Sequence, residues 1–562
     1  NAVQAIEIRS QQLNNQAGSI QSEQALKIDS KTINNQEGKL LAVNNVELQS
    51  EQLNNQKGVI ASTKHDVAIK ADQLDNSAGQ VLGQQLTIES QQINNQSGTL
   101  QSQKDLNLNT SQIDNGSRKD TAGNIIAAKN LKIQSQQLQN TGQIYAGDSA
   151  KLKVSQLQQH GQLAAQNQVK VQAEQIQSNA DSVWAAGLSP DGKLNNDAAT
   201  LEISAEQAQI AGKLLAGTQV SLNASRRADL NGSEVQAKNI KVETSELTTR
   251  QAKLLAEQQL SLKATNRIDN QEGQYSAADI QLNTSKLNNN KGLIQHTGKN
   301  DLVLDIAERI DNDAGQIISN AANTTIKTQN LSSVAGAILH AGDQQLKITA
   351  PDQHAQDGKI QSNGNMQLEL GSANLDRATT SAKNIELRAD SLSHQKGQML
   401  QSAEDGRLQL TVNKELNNRE GEISAAGNSS IKADSLNNQS GKVLSNGSVA
   451  LSVTDLNNEQ GTLYSKDQLG LNATGQVNNQ SGLIIAKQAE IKAQTLDNSS
   501  GRIRAEQGAL NLTVQQQLQN QAGEIYAADT IDLKAQQLGN QTGLIQSKNK
   551  INLTAGRVDN QF

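Results

Sequence analysis

The segment Leu13-Asn14-Asn15-Gln16-Ala17-Gly18 decides the fold of this chain, because it recurs throughout. It returns as Ile33-Asn34-Asn35-Gln36-Glu37-Gly38, as Leu53-Asn54-Asn55-Gln56-Lys57-Gly58 and as Leu74-Asp75-Asn76-Ser77-Ala78-Gly79. Late in the chain the same signal ends at Gly421, Gly441, Gly461, Gly482, Gly501, Gly523 and Gly543. It can be placed in about 26 registers with a mean spacing of about 21 residues, and such self-similarity is typical of a repeat architecture.

Apolar residues hold fixed places between these glycines. One lies two residues after the Gly, as Ile20 and Leu40 do, and a pair with period two follows, as in Leu26 and Ile28. A last one lies five residues before the next Gly, as Leu13 does. This alternation is the strand period, and no stretch keeps a helical period over three turns. The pattern predicts an all-β parallel β-helix, or β-solenoid, of about 26 coils of about 20–21 residues each.

The composition excludes several classes of protein. The 562 residues include one Trp, four Tyr, one Phe and no Cys, whereas enzymes of this size normally contain thick aromatic cores. Without Cys there are no disulfides and no thiolate metal sites. A net charge of −6 gives no basic footprint for nucleic acid, and no apolar run approaches the ~20 residues that span a bilayer. Chains rich in Asn and Gln are often disordered, but phased apolar residues favour a folded chain.

The Asn three residues before the repeat Gly predicts a ladder of stacked side-chain amides. Strands of successive coils lie ~4.8 Å apart, so an amide can donate to one neighbouring coil and accept from the other. In the position just before this Asn, Asp appears at Asp75, Asp311 and Asp497, but never in adjacent registers. This spacing is expected because two stacked carboxylates would repel each other. The Gly is expected to supply a positive-φ turn. The predicted ladder residues are Asn15, Asn35, Asn55, Asn76, Asn95, Asn270, Asn289, Asn312, Asn418, Asn438, Asn458, Asn479, Asn498, Asn520 and Asn540.

A repeat of the form L-N-N-Q-x-G-x-I, followed by L-x-L, resembles the filamentous haemagglutinin repeat. The resemblance covers nearly the whole chain, from Val3 to Asn560. It implies the long right-handed β-helical shaft of a two-partner-secretion exoprotein, a group that includes filamentous adhesins and effectors of contact-dependent growth inhibition. It further implies export through an outer-membrane two-partner-secretion transporter, a bacterial cell-surface or secreted location, and a target-cell receptor or glycan as a partner.

We expect residues 1–562 to form a single shaft fragment, because Ile6 and Ile8 match the Leu26/Ile28 pair and place the first residue midway through a coil. The repeat is irregular near residues 111–123, 179–200 and 350–382. Inserted loops in solenoids project sideways and often bind partners. The loop with Trp184 and Pro190 is therefore a candidate interaction site, although the indole is expected to pack over the apolar column.

No residue pattern predicts catalysis, a cofactor or a metal. The six histidines (His65, His160, His296, His340, His354 and His394) occupy scattered offsets and are expected on solvated outward faces. Carboxylates alternate with apolar residues, as Glu7 does between Ile6 and Ile8, which places them on the solvent side of strands. Phosphate-binding loops, nucleophile elbows and calcium nonapeptides are not found in the sequence.

Two functional interpretations follow. The first is a structural, non-enzymatic rod that projects a distal adhesive or toxin-delivery module for cell–cell contact. The second class is an enzyme, a β-helical polysaccharide hydrolase or lyase, which requires two or three carboxylates on neighbouring coils. A rod whose flank binds a receptor or glycan directly is a further alternative, and it requires the irregular stretches to mediate attachment.

Overall fold

The computed structural model describes residues 2–118, 121–189 and 191–561, and it places them in two compact units, Asn1–Thr284 and Ser285–Phe562. Each unit is a parallel β-solenoid. The described residues contain no helix, and hence no helix that is long and apolar enough to cross a membrane. Pro190 and the insertion residues Lys119 and Asp120 lie outside the described residues.

In unit 1 most coils contain a four-residue strand after the turn and a longer strand of nine to eleven residues. The strands are β1 (Ile6–Asn14), β2 (Ser19–Ser22), β3 (Leu26–Asn34), β4 (Lys39–Ala42), β5 (Val46–Asn54), β6 (Val59–Ser62), β7 (Val67–Asp75), β8 (Gln80–Gly83), β9 (Leu86–Asn94), β10 (Thr99–Ser102), β11 (Leu106–Asn115), β12 (Ser117–Arg118), β13 (Thr121–Ala122), β14 (Asn124–Ala127), β15 (Leu131–Asn140), β16 (Gln143–Ala146), β17 (Ser149–Gln159), β18 (Gln162–Ala165), β19 (Gln168–Gln172), β20 (Gln175–Ser178), β21 (Val183–Ala186), β22 (Thr200–Gln209), β23 (Lys213–Ala216), β24 (Gln219–Asp229), β25 (Glu234–Thr248), β26 (Lys253–Asp269), β27 (Gln274–Ala277) and β28 (Asp279–Asn283).

Unit 2 repeats the arrangement, but in several coils the longer strand is split into two. Its strands are β29 (Lys286–Asn288), β30 (Leu293–His296), β31 (Leu302–Asp305), β32 (Arg309–Asp311), β33 (Gln316–Ser319), β34 (Asn323–Lys327), β35 (Asn330–Ser332), β36 (Ala337–His340), β37 (Gln345–His354), β38 (Lys359–Ser362), β39 (Asn365–Asn374), β40 (Thr379–Ala382), β41 (Asn384–Ala389), β42 (Ser391–Ser393), β43 (Gln398–Gln401), β44 (Arg407–Val412), β45 (Glu415–Asn417), β46 (Glu422–Ala425), β47 (Asn428–Asn437), β48 (Lys442–Ser445), β49 (Val449–Asn457), β50 (Thr462–Ala473), β51 (Gln476–Asn478), β52 (Leu483–Asp497), β53 (Arg502–Ala505), β54 (Leu510–Gln519), β55 (Glu524–Ala527), β56 (Thr530–Gly539), β57 (Leu544–Ser547) and β58 (Lys550–Asp559).

Apart from β12 and β13, the strands pair in parallel with their equivalents in neighbouring coils, so equivalent apolar residues stack into columns. Leu26 pairs with Val46 and Ile33 with Leu53, and all four side chains are buried. The intervening residue Lys27 is exposed and pairs with Glu47. Burial of four or five aliphatic side chains per coil gains about 10 kcal/mol, less than the cost of ordering about 20 residues. A coil is therefore stable only against its neighbours, which supply hydrogen bonds to both edges of every strand.

The parallel β-solenoid predicted from the sequence is confirmed, with about 28 turns instead of the expected 26. The expected number counted repeat glycines from Gly18 to Gly543, whereas β1 precedes the first of these glycines and β58 follows the last. The prediction therefore left out the turns to which these two strands belong.

The irregular stretches have three different structures. The first contains an antiparallel pair, β12 with β13, inserted between β11 and β14. In the second, residues 187–199 connect β21 with β22, and a loop over residues 187–197 of this connection contains an antiparallel bridge between Leu188 and Leu194. The stretch 350–382 has no inserted loop, because β37 to β40 continue the regular pairing, with Ala350 opposite Leu370. The unusual sequence of residues 350–382 changes the side chains that stack inside these coils but not the path of the backbone.

Candidate functional site

The amide nitrogen of each ladder Asn donates to the side-chain oxygen of the next coil. Asn15 Nδ2 lies 2.7 Å from Asn35 Oδ1, and Asn35 Nδ2 lies 2.7 Å from Asn55 Oδ1. Asn35 Nδ2 also approaches Gly38 O and Val59 O, both at 3.3 Å, and the side chain is fully buried. All donors point toward the C-terminal coils, so the ladder has one direction. Each link is a buried amide hydrogen bond of a type worth about 1 kcal/mol when made and 1–3 kcal/mol when one partner is removed.

In unit 1 the ladder extends beyond the predicted residues. It runs in chain order through Asn15, Asn35, Asn55, Asn76, Asn95, Asn115 and Asn140 to Gln159, with donor–acceptor distances of 2.7–2.9 Å. Asn270, also in this unit, donates to Gly273 O at 3.4 Å.

Unit 2 contains two ladder segments. Asn289 donates to Asn312 at 2.7 Å, and Asn312 donates to Ser333 Oγ at 3.0 Å. The longer segment joins, each at 2.7 Å, Asn418, Asn438, Asn458, Asn479, Asn498, Asn520, Asn540 and Asn560.

Sequence reasoning missed Asn115, Asn140, Gln159 and Asn560, because it counted backward from the repeat Gly. The inserted β12–β13 pair separates Asn115 from Gly123, although Asn115 Nδ2 still donates to Gly123 O at 3.2 Å. A shorter turn brings Asn140 and Gln159 to two residues before a Gly. All four residues follow an aliphatic residue by two positions, as Asn115 follows Ile113, and this aliphatic residue is buried except for Val558 before Asn560. Counting forward from that aliphatic residue finds them.

The prediction that the repeat Gly supplies the positive φ is wrong for most coils, although Gly212 (90°) and Gly232 (69°) do have a positive φ. The positive φ belongs to the residue before it, as in Ala17 (51°) and Glu37 (55°). The N–H of that residue donates to the next coil, with Ala17 N 2.8 Å from Gln36 O. Gly38 is needed for a different reason: a Cβ there would lie 2.2 Å from Asn15 O and 2.7 Å from Asn35 Oδ1. The Gly therefore makes room for the ladder amide and for the carbonyl of the preceding coil.

Two of the coils that lack a ladder Asn support this explanation. Other such coils, with Ser333, Ala355 or His394 at the ladder position, keep the Gly. Where Leu375 takes the ladder position, Ala378 takes the position of the Gly, and Ala252 does the same in the coil with Thr249. In the ladder of unit 1 and in both ladder segments of unit 2, every Asn that is followed by a complete turn has a Gly in that turn. Among the residues that the structure describes, no ladder amide is therefore followed by a residue with a Cβ at the position of the repeat Gly.

A second ladder lies on the half-exposed side of the same turn and runs in the opposite direction. Asn34 Nδ2 donates to Asn14 Oδ1 at 3.1 Å, and Asn54 Nδ2 donates to Asn34 Oδ1 at 3.2 Å. The Oδ1 atom of Asn34 also accepts the backbone N–H of Gln36. The side chain at this outer position mainly accepts hydrogen bonds, so a carboxylate can replace the amide there. In one coil Asp75 Oδ1 accepts a hydrogen bond from Asn94 Nδ2 at 3.2 Å. This accounts for Asp in the outer ladder.

The expectation that the histidines are solvated is wrong for three of the six. His65 and His354 are exposed and His160 is half-buried, but His296, His340 and His394 are buried. Each of the three takes an inward position in its coil, where burial is dictated by strand alternation. They are not a metal site, since the described residues contain no group of three potential ligands.

The hydrogen bonds of His394 and His340 fix the orientation of their rings. His394 occupies the ladder position, and its Nδ1–H donates to Asn418 Oδ1 at 2.8 Å, so it is the first donor of the long ladder in unit 2. Burial lowers the pKa of His394 below its usual value, which keeps the ring neutral near pH 7. His340 Nδ1 lies 2.9 Å from Ser362 Oγ, and its Nε2 lies 3.0 Å from Ala321 O.

Trp184 is inside the solenoid of unit 1. It lies in β21 between Leu163 and Leu214 of the neighbouring coils and has no solvent exposure. The indole is therefore not presented to a partner by the loop of residues 187–197. Instead the loop inserts Leu188 against Tyr145, and burial together with the charge of Asp191 raises the pKa of that tyrosine.

Many surface carboxylates form ion pairs, either within one strand or between coils. Examples are Lys57 with Glu37 at 3.2 Å and Lys170 with Glu202 at 3.0 Å, both largely exposed and therefore worth less than about 1 kcal/mol each. A general acid in glycan cleavage needs a raised pKa. The carboxyl groups with a resolved shift, Asp191, Glu243, Asp357 and Glu369, all have a lowered pKa, because each accepts hydrogen bonds or lies beside a cation.

Comparison with protein families identifies one match, the haemagglutinin repeat. It matches residues 1–78, 44–93, 71–173, 297–350, 341–420, 424–500, 468–522 and 505–562, which together include well over half of the chain. Comparisons with curated proteins and with solved structures give no significant match.

Proposed function

The chain belongs to the haemagglutinin repeat family, and on that premise we propose that it is shaft from a bacterial two-partner-secretion exoprotein. The shaft has a structural, non-enzymatic role and projects a distal adhesive or toxin-delivery module for cell–cell contact. An outer-membrane transporter of the two-partner type exports it, and it acts at the cell surface or after secretion. The partner on the target cell is a receptor or a glycan.

The observation that supports this proposal is the equivalence of the coils. Each coil repeats the same inward columns and, in the two long ladder segments, the same amide bonds of 2.7–2.9 Å to its neighbours. Each added coil lengthens the solenoid by about 4.8 Å, and it makes the same kinds of contact as the neighbouring coils. The mechanism is geometric: coil number sets the reach, and lateral hydrogen bonds supply stiffness.

A coil exchange in the complete exoprotein tests the proposal. Residues 39–79, two coils of unit 1, are replaced by residues 442–482, two coils of unit 2 with the same turn signals. If the shaft is a spacer, the exchanged protein retains export and target-cell binding, because the number of coils and their stacking are unchanged. Deletion of half a coil, residues 39–48, is the matched control and abolishes folding. Loss of target-cell binding in the exchanged protein, with export and strand content intact, would contradict the spacer and favour a flank that binds directly.

A further inference from the structure

The amide ladder of unit 2 is interrupted in the middle of the unit. Asn312 ends one ladder segment by donating to Ser333 Oγ at 3.0 Å, and His394 begins the next. The coils between them have Ala355 and Leu375 at the ladder position, and these side chains cannot form hydrogen bonds. These coils are therefore stacked without the buried side-chain bonds that link the coils on either side.

The interrupted coils also contain a polar side chain in an inward column that is otherwise aliphatic. Gln353 stacks between Leu331 and Ala373, and Leu392 follows in the next coil. Gln353 has no solvent exposure. Of the buried side-chain amides in the described part of unit 2, only Gln353 has neither its nitrogen nor its oxygen hydrogen-bonded. A buried amide without partners destabilises the closed coil, because it has lost its hydrogen bonds to water.

The short strands of these coils have a second polar side chain in the core. Thr380 stacks between Ile360 and Met399 and is fully buried, and its Oγ1 atom has no partner among the described residues. Ala373, which stacks on Gln353, also lines a surface cleft of about 260 Å³. The two unpaired side chains thus lie in a part of the core that borders on solvent.

The outer contacts of the same coils are intact. Asp376 accepts hydrogen bonds from Ser393 Oγ at 2.6 Å and from the backbone N–H of Gln395 at 2.8 Å. Arg377 forms an exposed ion pair with Asp357. These contacts keep the strands in register, but exposed pairs contribute little to stability. The defect is confined to the interior of coils that are otherwise regularly folded.

We propose that residues 353–380 are a breakpoint, the place at which unit 2 opens first. Opening lets water hydrogen-bond to Gln353 and Thr380, so it removes a penalty that exists only in the closed state. The ladder segments on either side keep their own coils closed. Unpaired strand edges then appear in the middle of the unit and become accessible to proteases. The breakpoint sets where the shaft yields, whatever module the shaft carries.

Hydrogen exchange of the full chain, followed by mass spectrometry, locates the first opening. The matched segment is residues 456–484, which have aliphatic residues in the same two columns and Asn458 and Asn479 in the ladder. We expect residues 353–380 to exchange about tenfold faster or more. Limited digestion with trypsin should cut at Arg377 before it cuts at Lys466, which is also exposed. Equal exchange in the two segments, or a first cut at Lys466, would overturn the proposal.

Variants that remove the unpaired groups test the cause. Thr380→Val removes the buried hydroxyl without changing the shape of the side chain and should slow exchange of residues 353–380 about threefold. Gln353→Leu restores the residue type of Leu331 and should slow it about tenfold. Thr379→Val is the control, because it makes the same change at a half-buried outward position of the same strand and should leave the rate unchanged. Exchange as fast in Thr380→Val and Gln353→Leu as in Thr379→Val would show that the unpaired groups do not cause the opening, and it would overturn the proposal.

Discussion

Replacing Asn35 by Asp removes the ladder donor while leaving the shape of the side chain unchanged. Asn55 Oδ1 then loses the donor that lies 2.7 Å away, and Gly38 O and Val59 O face a carboxylate oxygen instead of an N–H at 3.3 Å. An unsatisfied buried acceptor costs about 1–3 kcal/mol, and an unpaired buried charge brings the total to about 3–5 kcal/mol. Asn15 Nδ2 still has its acceptor and offsets part of this cost.

The adjacent substitution Asn34→Asp is the matched control. It changes the same charge in the same turn, but in the outer ladder, where Asp75 already takes the equivalent position. It loses one 3.1 Å bond to Asn14 and should cost about 1 kcal/mol or less. Hydrogen exchange of the full chain, followed by mass spectrometry over residues 19–62, measures the difference in local opening free energy.

The pH dependence gives the reasoning a second test. Burial raises the pKa of the new carboxyl in Asn35→Asp above the unfolded value of about 3.9. The folded state then binds the proton more tightly than the unfolded state, so the penalty is full above the folded pKa and shrinks as the pH falls through it. Equal destabilisation by the two variants near pH 7, or a penalty for Asn35→Asp that does not shrink on acidification, would refute the argument.

Three further perturbations have expected outcomes. Gly58→Ala places a Cβ 2.2 Å from Asn35 O and should lower the free energy of unfolding of its coils by about 3 kcal/mol or more. Ala378→Gly should change the free energy of unfolding, measured by urea denaturation, by less than about 1 kcal/mol, and similar effects of the two substitutions would contradict the close-approach explanation. Because the pKa of His394 is lowered in the folded state, the unfolded state binds a proton more readily. The coils around His394 should therefore lose stability as the pH falls below about 6.5. Hydrogen exchange at several pH values measures this loss, and His394→Asn should remove it. Trp184→Ala should lower the free energy of unfolding by about 3–5 kcal/mol, and Trp184→Leu should lower it by less. The fluorescence of Trp184 should resist quenching by iodide, and efficient quenching would contradict its burial.

How far the sequence predicts the structure depends on the range of each interaction. The strand period and the Gly-phased repeat are local, so Leu13, Leu26 and Ile28 suffice to predict a parallel solenoid. The positive φ was assigned to the wrong residue, because local propensity favours Gly there. The structure places Ala17 in that conformation, since its N–H donates to Gln36 of the next coil and offsets a cost of about 1–2 kcal/mol.

The buried histidines show the same limit. His394 looks polar and solvated in the sequence, yet its place in the coil puts it at the head of an amide ladder. Asn115 was missed because an inserted strand pair separates it from its Gly. The ladder partner of His394 lies 24 residues away in the chain, and that of Asn115 lies 25 residues away.

The sequence by itself determined that coils form, where their apolar columns run and how often they repeat, because those features follow from periodicity within one turn. Only the tertiary structure decided the direction of the two amide ladders, the reason for the glycines and the burial of His296, His340 and His394. Those properties arise between coils, where donors, acceptors and Cβ atoms of residues distant in sequence come within 2–4 Å of one another.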